Sequence, residues 1–172
     1  MIKTAILSTC GKFRYRLSRS WGPDIYRPLV FVMLNPSTAD ANEDDATIRR
    51  CVRFASDHGF TSIEVVNLFA YRATEPADLR KAGYPAGPDN DRHIAEAVRG
   101  AGAVCVAWGA NAADLERPQI VLPLIRAQGA EPMCLSITKG GHPGHPLMLA
   151  ASCRLKPFTI EAIQDAMDGG ST

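Results

Sequence analysis

The chain has 172 residues, 46% of them hydrophobic, and a formal net charge of +1. This length and composition suit one domain with a full core, and the near-neutral charge gives no global field that would attract nucleic acid or a membrane surface. No apolar run approaches the roughly 18 residues of a membrane span, and the N-terminal apolar segment is too short for a signal peptide. We therefore expect a single domain over residues 1–172, located in the cytoplasm and without membrane contact.

The five cysteines are odd in number, scattered and never in C-x-x-C spacing. This pattern favours free thiols in a reducing compartment over a disulfide framework, a zinc ribbon or an iron–sulfur cluster. No strand leads into G-x-G-x-x-G, the pattern of a dinucleotide-binding domain. We expect neither a cofactor nor a bound metal ion.

Residues 1–27 are predicted to form an N-terminal hairpin. An apolar segment at 5–7 and an alternating segment at 13–17 flank a glycine-containing turn. In the second segment Arg14 and Arg16 alternate with apolar residues, as in a half-exposed strand. This is the one locally basic part of the chain, and two interpretations stay open. It is either a solvated edge that discourages strand pairing, or a surface that contacts nucleic-acid phosphate.

Residues 28–150 are predicted to form an α/β core, followed by a C-terminal extension at 151–172. Strands that alternate with helices imply a parallel sheet with helices on both faces. We therefore expect a three-layer α/β/α domain around a central, mainly parallel four-stranded sheet. The extension should contain an extended piece at 154–158 and a helix at 159–167. The predicted strands of the core are 29–34, 63–66, 103–108 and 132–135, and its predicted helical segments begin near 45, 75, 89, 110, 118 and 147.

Polar residues follow the predicted strands at their carboxyl ends, the edge at which open α/β sheets bind ligands. The first apolar run stops at Asn35-Pro36, because proline cannot donate to a strand ladder. The second stops at Asn67, and the loop after the fourth carries His145. We expect these residues to converge. Each also has a structural alternative, as a turn, a cap or a loop residue with a backbone partner.

Two asparagines at neighbouring strand ends supply amide donors and acceptors suited to the edge of a planar heterocycle. Asn35 could instead hold a water molecule against an electrophilic carbon, and His145 could stabilise a developing anion. Lys139 lies in a glycine-rich loop, where it could supply charge for a phosphate group.

Four short blocks of the core stand in a recognisable order, namely Val32 to Pro36, Val65 to Asn67, Val106 to Ala112 and His145 to Leu147. They resemble the motifs of the uracil-DNA glycosylase superfamily, and the first is closest to its mismatch-specific branch. Longer blocks are Asn35 to Asp40, Asp45 to Arg50, Asn67 to Ala70 and Gly141 to Leu147. These resemble the bacterial family known as domain of unknown function 1643, across nearly the whole chain.

The glycosylase resemblance implies slow hydrolysis of an N-glycosidic bond to a modified or mismatched base in nucleic acid. By position, Asn35 would orient the attacking water, Asn67 would read the base and His145 would stabilise the leaving base. Asn35 occupies the place of the water-activating aspartate of the efficient branches, and an asparagine is no general base at pH 7, so hydrolysis would be slow. Further candidates for contacting base or ligand are Ser37, Phe69, Tyr71, Lys139 and His142, and for contacting phosphate Arg14, Arg16 and Arg49.

Three other assignments stay open. The same fold could be a non-catalytic module that binds a nucleotide or nucleic acid. A metal hydrolase using His142 and His145 with Asp40 or Cys134 has weak support, because the geometry of a loop is not fixed by sequence spacing. The side chain that stacks on the base is not placed by the motifs, and Trp108 is a candidate beside the two aromatics named above.

Overall fold

The computed structural model of the chain describes residues 1–23 and 27–159. Over these residues the protein is an α/β fold with a mixed seven-stranded sheet. The expected α/β class is confirmed, and the sheet is larger than the four strands expected. The helix predicted at 159–167 lies, except for its first residue, outside the described residues. The strands are β1 Ile2–Leu7, β2 Arg14–Ser20, β3 Leu29–Met33, β4 Ser62–Asn67, β5 Ala103–Val106, β6 Pro132–Cys134 and β7 Lys156–Pro157.

Four α-helices are present among the described residues, each close to a predicted helical segment. Two further predicted segments, near 110 and 147, form only single 3-10 turns, because segments this short seldom nucleate an α-helix. The helices are α1 Ala46–Asp57, α2 Pro76–Lys81, α3 Asn90–Arg99 and α4 Arg117–Ala127, and the 3-10 turns are Ala110–Ala112 and Pro146–Met148.

The strand order in the sheet is β1-β2-β4-β3-β5-β6-β7. The four consecutive strands β4, β3, β5 and β6 are parallel to one another. The N-terminal hairpin joins this group because β2 pairs with β4 in antiparallel orientation, and β7 adds an antiparallel strand beside β6. These added strands explain why the sheet exceeds the four strands expected from the sequence.

Strand β2 differs from the half-exposed edge strand that its alternating pattern suggested. It pairs with β1 on one side and β4 on the other, so it is an interior strand. Arg14 and Arg19 are buried, at 3% and 0% exposure. Arg16 forms ion pairs with Glu64 and Glu96. The arginines of β2 are therefore buried or ion-paired, and this strand is not the solvated edge considered from the sequence.

Apolar side chains cover both faces of the sheet. On one face, strand residues such as Val30 and Val32 pack with residues of α3 and α4, including Ile94. On the other face, Phe31 packs with residues of α1, including Phe54. Burying one such side chain stabilises the fold by about 1.5–3 kcal/mol. The sheet is therefore fixed between two helical layers, and the carboxyl ends of the parallel strands are held in a constant relative position.

No helix within the described residues is both long and apolar enough to cross a membrane. The five cysteines are unpaired, and Cys51, Cys105 and Cys134 are buried. Burial raises the pKa of the Cys51 and Cys105 thiols, so these two side chains are protonated and act as small core residues.

Candidate functional site

A cleft of about 550 Å³ lies at the carboxyl ends of the parallel strands. This size is in the usual range for a small-molecule site. The strand ends of β3 and β4, the turn after β5 and the segment around His145 all contribute to it. The polar and aromatic lining residues are Arg14, Asn35, Ser37, Asp45, Thr47, Asn67, Thr74, Trp108, Asn111 and His145, and the segment also contributes Leu147 and Met148.

Asn67 is the last residue of β4 and is only 1% exposed. Within the described part of the chain, neither atom of its side-chain amide has a hydrogen-bond partner. Its backbone is firmly held, since Asn90 Nδ2 donates to the carbonyl oxygens of Asn67 at 2.9 Å and Leu68 at 3.1 Å. Arg117 Nε also donates to the Leu68 carbonyl, at 2.7 Å. The strand end is therefore rigid, and Asn67 lines the cleft with the donor and acceptor of its buried amide unused.

Asn35 has a different arrangement, because its amide nitrogen is fully used. Nδ2 donates to the carbonyl oxygen of Ala73 at 2.8 Å and to that of Pro36 at 3.0 Å. These two bonds fix the orientation of the amide and tie the turn after β3 to the segment after β4. Oδ1 is the part of this side chain that remains for a ligand or a water molecule.

His145 is held in one tautomer by the backbone of Leu147. Nδ1 accepts a hydrogen bond from the Leu147 N–H at 3.2 Å, so the ring proton of the neutral imidazole is on Nε2. Burial lowers the pKa of His145, while Asp45 acts in the opposite direction. The side chain is therefore a neutral donor at pH 7.

Two neighbours fix the position of the His145 segment. Gly109 has φ +78°, and a Cβ at this position would lie 3.2 Å from the His145 Cβ, so only glycine fits well here. Arg50 on α1 donates from Nε to the Pro146 carbonyl at 3.3 Å and from Nη2 to the Leu149 carbonyl. Its guanidinium also lies 5.0 Å from the centre of the Phe54 ring. Arg50 therefore acts as a positioning residue.

Arg14 reaches the cleft because β2 is antiparallel to β4. The first residue of β2 therefore lies beside the carboxyl end of β4, and the Arg14 N–H donates to the Ala70 carbonyl at 2.9 Å. The guanidinium donates from Nη1 to the Ala39 carbonyl. Nε is buried without a partner in the described part of the chain. Burial lowers the pKa of Arg14 to about 10, which leaves the side chain charged at neutral pH.

Asp45 is a cleft residue that was not among the site residues expected from the sequence. It is the N-cap of α1, and its Oδ1 accepts a hydrogen bond from the Ile48 N–H at 2.9 Å. It also lines the cleft, together with Thr47. The sequence signal that could have indicated it is its position at the start of a helix that begins near the ligand-binding edge.

Five of the predicted site residues line the cleft, while the others do not. These five are Arg14, Asn35, Ser37, Asn67 and His145. His142 is buried behind Trp108, whose Nε1 donates to its Nδ1 at 3.3 Å. His142 therefore supports the Trp108 ring that lines the cleft.

The remaining predicted residues lie outside the cleft lining. Phe69 is buried and packs on Tyr84, and Tyr71 contacts Phe13 edge to face. Lys139 is exposed. Arg49 is exposed and donates to the Asp44 carbonyl at 2.6 Å, and Arg16 is engaged with two glutamates. Of the three stacking candidates, Trp108 is the one that lines the cleft.

No group of three or more His, Cys, Asp or Glu side chains is arranged to hold a metal ion in residues 1–23 and 27–159. The metal-hydrolase alternative relied on His142 and His145. Nδ1 of His142 is bonded to Trp108, and Nδ1 of His145 accepts from Leu147.

The fold is that of an α/β protein with a cleft at the carboxyl edge of its parallel strands. The family described as "Protein of unknown function (DUF1643)" matches residues 14–147, and the chain belongs to this family. Comparison with curated proteins and with solved structures gives no match. The matched range begins at Arg14 and contains all the polar residues of the cleft.

Proposed function

We propose that the cleft recognises a nucleobase and that the protein is a slow hydrolase of N-glycosidic bonds to a modified or mismatched base. The observation that carries this proposal is the side chain of Asn67. It is 1% exposed and lines the cleft, and neither amide atom has a partner within the described residues.

A buried polar group without a partner destabilises the folded state by about 1–3 kcal/mol. A ligand that pairs with the Asn67 amide would offset this penalty on binding. The amide presents one donor and one acceptor side by side in a plane, and the edges of nucleobases carry matching pairs of acceptors and donors. Trp108 supplies an aromatic wall in the same cleft.

In the proposed reaction, a water oxygen attacks the sugar carbon while the bond from that carbon to the base nitrogen breaks. The electron pair of that bond leaves with the base. Asn35 Oδ1 accepts a hydrogen bond from the water and orients it. Nε2–H of His145 donates to the base where negative charge develops. Asp45 supplies a carboxylate that can accept the proton of the water.

The reaction is expected to be slow for two reasons. Asn35 orients water without accepting its proton. The Asp45 carboxylate, which can accept it, already uses Oδ1 to cap α1. The parallel group β4-β3-β5-β6 with helices on both faces supports a glycosylase-like interpretation of the fold. Leu147 and Met148 line the cleft and are 46% and 83% exposed, which supports a role as the apolar wedge that replaces an extruded base.

A second candidate is a module that binds a base without cleaving the bond. The observation in its favour is that Asn35 Nδ2 bonds to two backbone carbonyls. These bonds alone give Asn35 a structural role at the end of β3. In this case Asn67 still pairs with the base, and no abasic product forms.

The test is an assay for abasic sites, read as strand cleavage after alkali. Its substrates are single- and double-stranded oligonucleotides that carry uracil, hypoxanthine, xanthine or a G·T mismatch. The variants are Asn35→Ala, His145→Gln and Asp45→Asn. Asparagine is chosen at position 45 because it still caps a helix, so this variant isolates the loss of the carboxylate. Arg49→Gln is the matched control, because Arg49 is exposed and outside the cleft.

We expect the wild-type protein to form abasic sites. The rate should fall by about 10²-fold or more in Asn35→Ala and His145→Gln and should be unchanged in Arg49→Gln. Binding of the same oligonucleotides without any product, weakened by Asn67→Ala, would establish the non-catalytic module. Absence of both product and binding, for these substrates and for free nucleosides, would refute base recognition.

A further inference from the structure

We propose that the cleft also binds a phosphate group, held by Arg14 beside the amino-terminal end of α1. The ligand is then a base that is still attached to a phosphorylated sugar. This inference rests on the proposed base recognition and extends it to the class of ligand.

The first argument is the state of the Arg14 guanidinium. Arg14 is 3% exposed and lines the cleft, and its guanidinium has no carboxylate within ion-pair distance among the described residues. Its one hydrogen bond is from Nη1 to the Ala39 carbonyl, and Nε has none in the described part of the chain. A planar fork with unused donors is suited to binding two oxygens of an anion.

The second argument is the helix that begins at the cleft. Helix α1 has 12 residues, and Asp45, Thr47 and Ile48 at its start all line the cleft. Backbone N–H groups of a first helical turn lack intrahelical partners, and the helix dipole places positive potential there. This end of a helix is therefore a favourable position for an anion, and the hydroxyl groups of Ser37 and Thr47 provide further donors in the cleft.

Two carboxylates oppose an anion at this position. Asp45 and Asp40 act on Arg14 electrostatically and favour its charged form. Neither forms an ion pair with it, so the donors of the guanidinium stay available. Asp45 lines the cleft with Arg14, and its charge should weaken the binding of a phosphate. Asp45→Asn is therefore expected to tighten the binding of phosphorylated ligands and to leave unphosphorylated ones unchanged.

The other arginines of β2 are not available for further phosphate groups. Arg16 is paired with Glu64 and Glu96, and Arg19 with Asp44. Their charges are neutralised within the protein. Arg14 is therefore the one cation of β2 that is free of an ion pair, and the salt dependence of binding should correspond to about one phosphate contact.

The experiment is isothermal titration calorimetry with three matched sets of probes. The first is uracil, uridine and uridine 5′-monophosphate, and the second is hypoxanthine, inosine and inosine 5′-monophosphate. The third is a single-stranded oligonucleotide with one uracil or hypoxanthine, which tests a phosphodiester as the source of the phosphate. Wild type is compared with Arg14→Gln, Arg14→Lys and the exposed-surface control Arg49→Gln.

We expect a phosphorylated probe, either the monophosphate or the oligonucleotide, to bind at least about tenfold more tightly than the nucleoside. This advantage should fall to within about twofold in Arg14→Gln, be partly kept in Arg14→Lys and be unchanged in Arg49→Gln. Whichever of the monophosphate and the oligonucleotide binds more tightly identifies the source of the phosphate. Equal affinity for nucleoside and both phosphorylated probes, or an advantage that persists in Arg14→Gln, would overturn the phosphate site.

A second measurement is independent of the folding of any variant. Inorganic phosphate should compete with the monophosphate on wild-type protein and should leave nucleoside binding unchanged; competition with neither would overturn the site. Failure of the proposed base recognition gives a different result. In that case Asn67→Ala binds every probe as wild type does, and inorganic phosphate still binds in an Arg14-dependent manner.

Discussion

Strand β2 carries two buried arginines in opposite situations. The Arg19 guanidinium donates to the Asp44 carboxylate at 2.7 Å and to four backbone carbonyls, those of Thr4, Ser18, Asp40 and Glu43. The Arg14 guanidinium has one hydrogen bond and no ion pair within the described residues. Burial alone therefore does not distinguish an arginine that stabilises the fold from one that is available to a ligand. The two are distinguished by how many of the guanidinium donors already have partners.

The same contrast exists between two buried asparagines. Asn90 uses Nδ2 to hold the carbonyls of Asn67 and Leu68. Asn67 has an amide with no partner in the described part of the chain. In each pair, the residue with satisfied donors fixes the fold, and the residue with unused donors lines the cleft.

The largest expected effect is on Arg19. Arg19→Met should lower the free energy of unfolding by about 3–5 kcal/mol, because it leaves a largely buried carboxylate and several carbonyls without their donor. Arg14→Met should change it by less than about 1 kcal/mol, since few bonds are lost. Urea denaturation of both variants measures the difference. Equal losses for the two variants would contradict the comparison, and Arg49→Met should remain within about 0.5 kcal/mol of wild type.

A smaller effect is expected for the asparagines. Asn90→Leu should destabilise the protein by about 2 kcal/mol, because the Asn67 carbonyl loses its side-chain donor and a polar site becomes apolar. Asn67→Leu removes an unsatisfied amide of similar volume, so its free energy of unfolding should stay within about 1 kcal/mol of wild type. The midpoints of urea unfolding provide the comparison. A loss at Asn67 as large as that at Asn90 would show that the Asn67 amide is structural.

The smallest expected effect is a dependence of stability on pH. Burial lowers the pKa values of His93, His142 and His145 in the folded protein. The unfolded chain binds protons at these rings first as the pH falls through about 6.5. The free energy of unfolding should therefore decrease as the pH is lowered from about 7 to just above 5. The midpoints of urea unfolding over this pH range measure the decrease. His145→Gln should reduce the dependence of stability on pH. A stability that stays constant or rises as the pH is lowered would contradict the lowered pKa values of these histidines.

The elements and the cleft edge could be predicted from the sequence because they depend on local signals. The apolar run before Pro36 and the polar residues after each strand follow from short-range pattern. The position of Arg14 could not be predicted in this way. Its alternation with apolar residues is the same for an edge strand and an interior strand, and only the pairing of β2 with β4 brings it to the cleft. The roles of His142 and Trp108 likewise depend on a contact between distant residues.

Most α/β proteins vary their ligand specificity through the loops that follow parallel strands. When an antiparallel strand is added beside such a sheet, its first residue lies at the carboxyl ends of the parallel strands, as Arg14 of β2 does. The charge of the site is then encoded in a regular strand, upstream of every parallel strand of the core. With the proposed phosphate site, a substitution at the beginning of β2 should change which ligands are accepted while every loop of the cleft keeps its sequence.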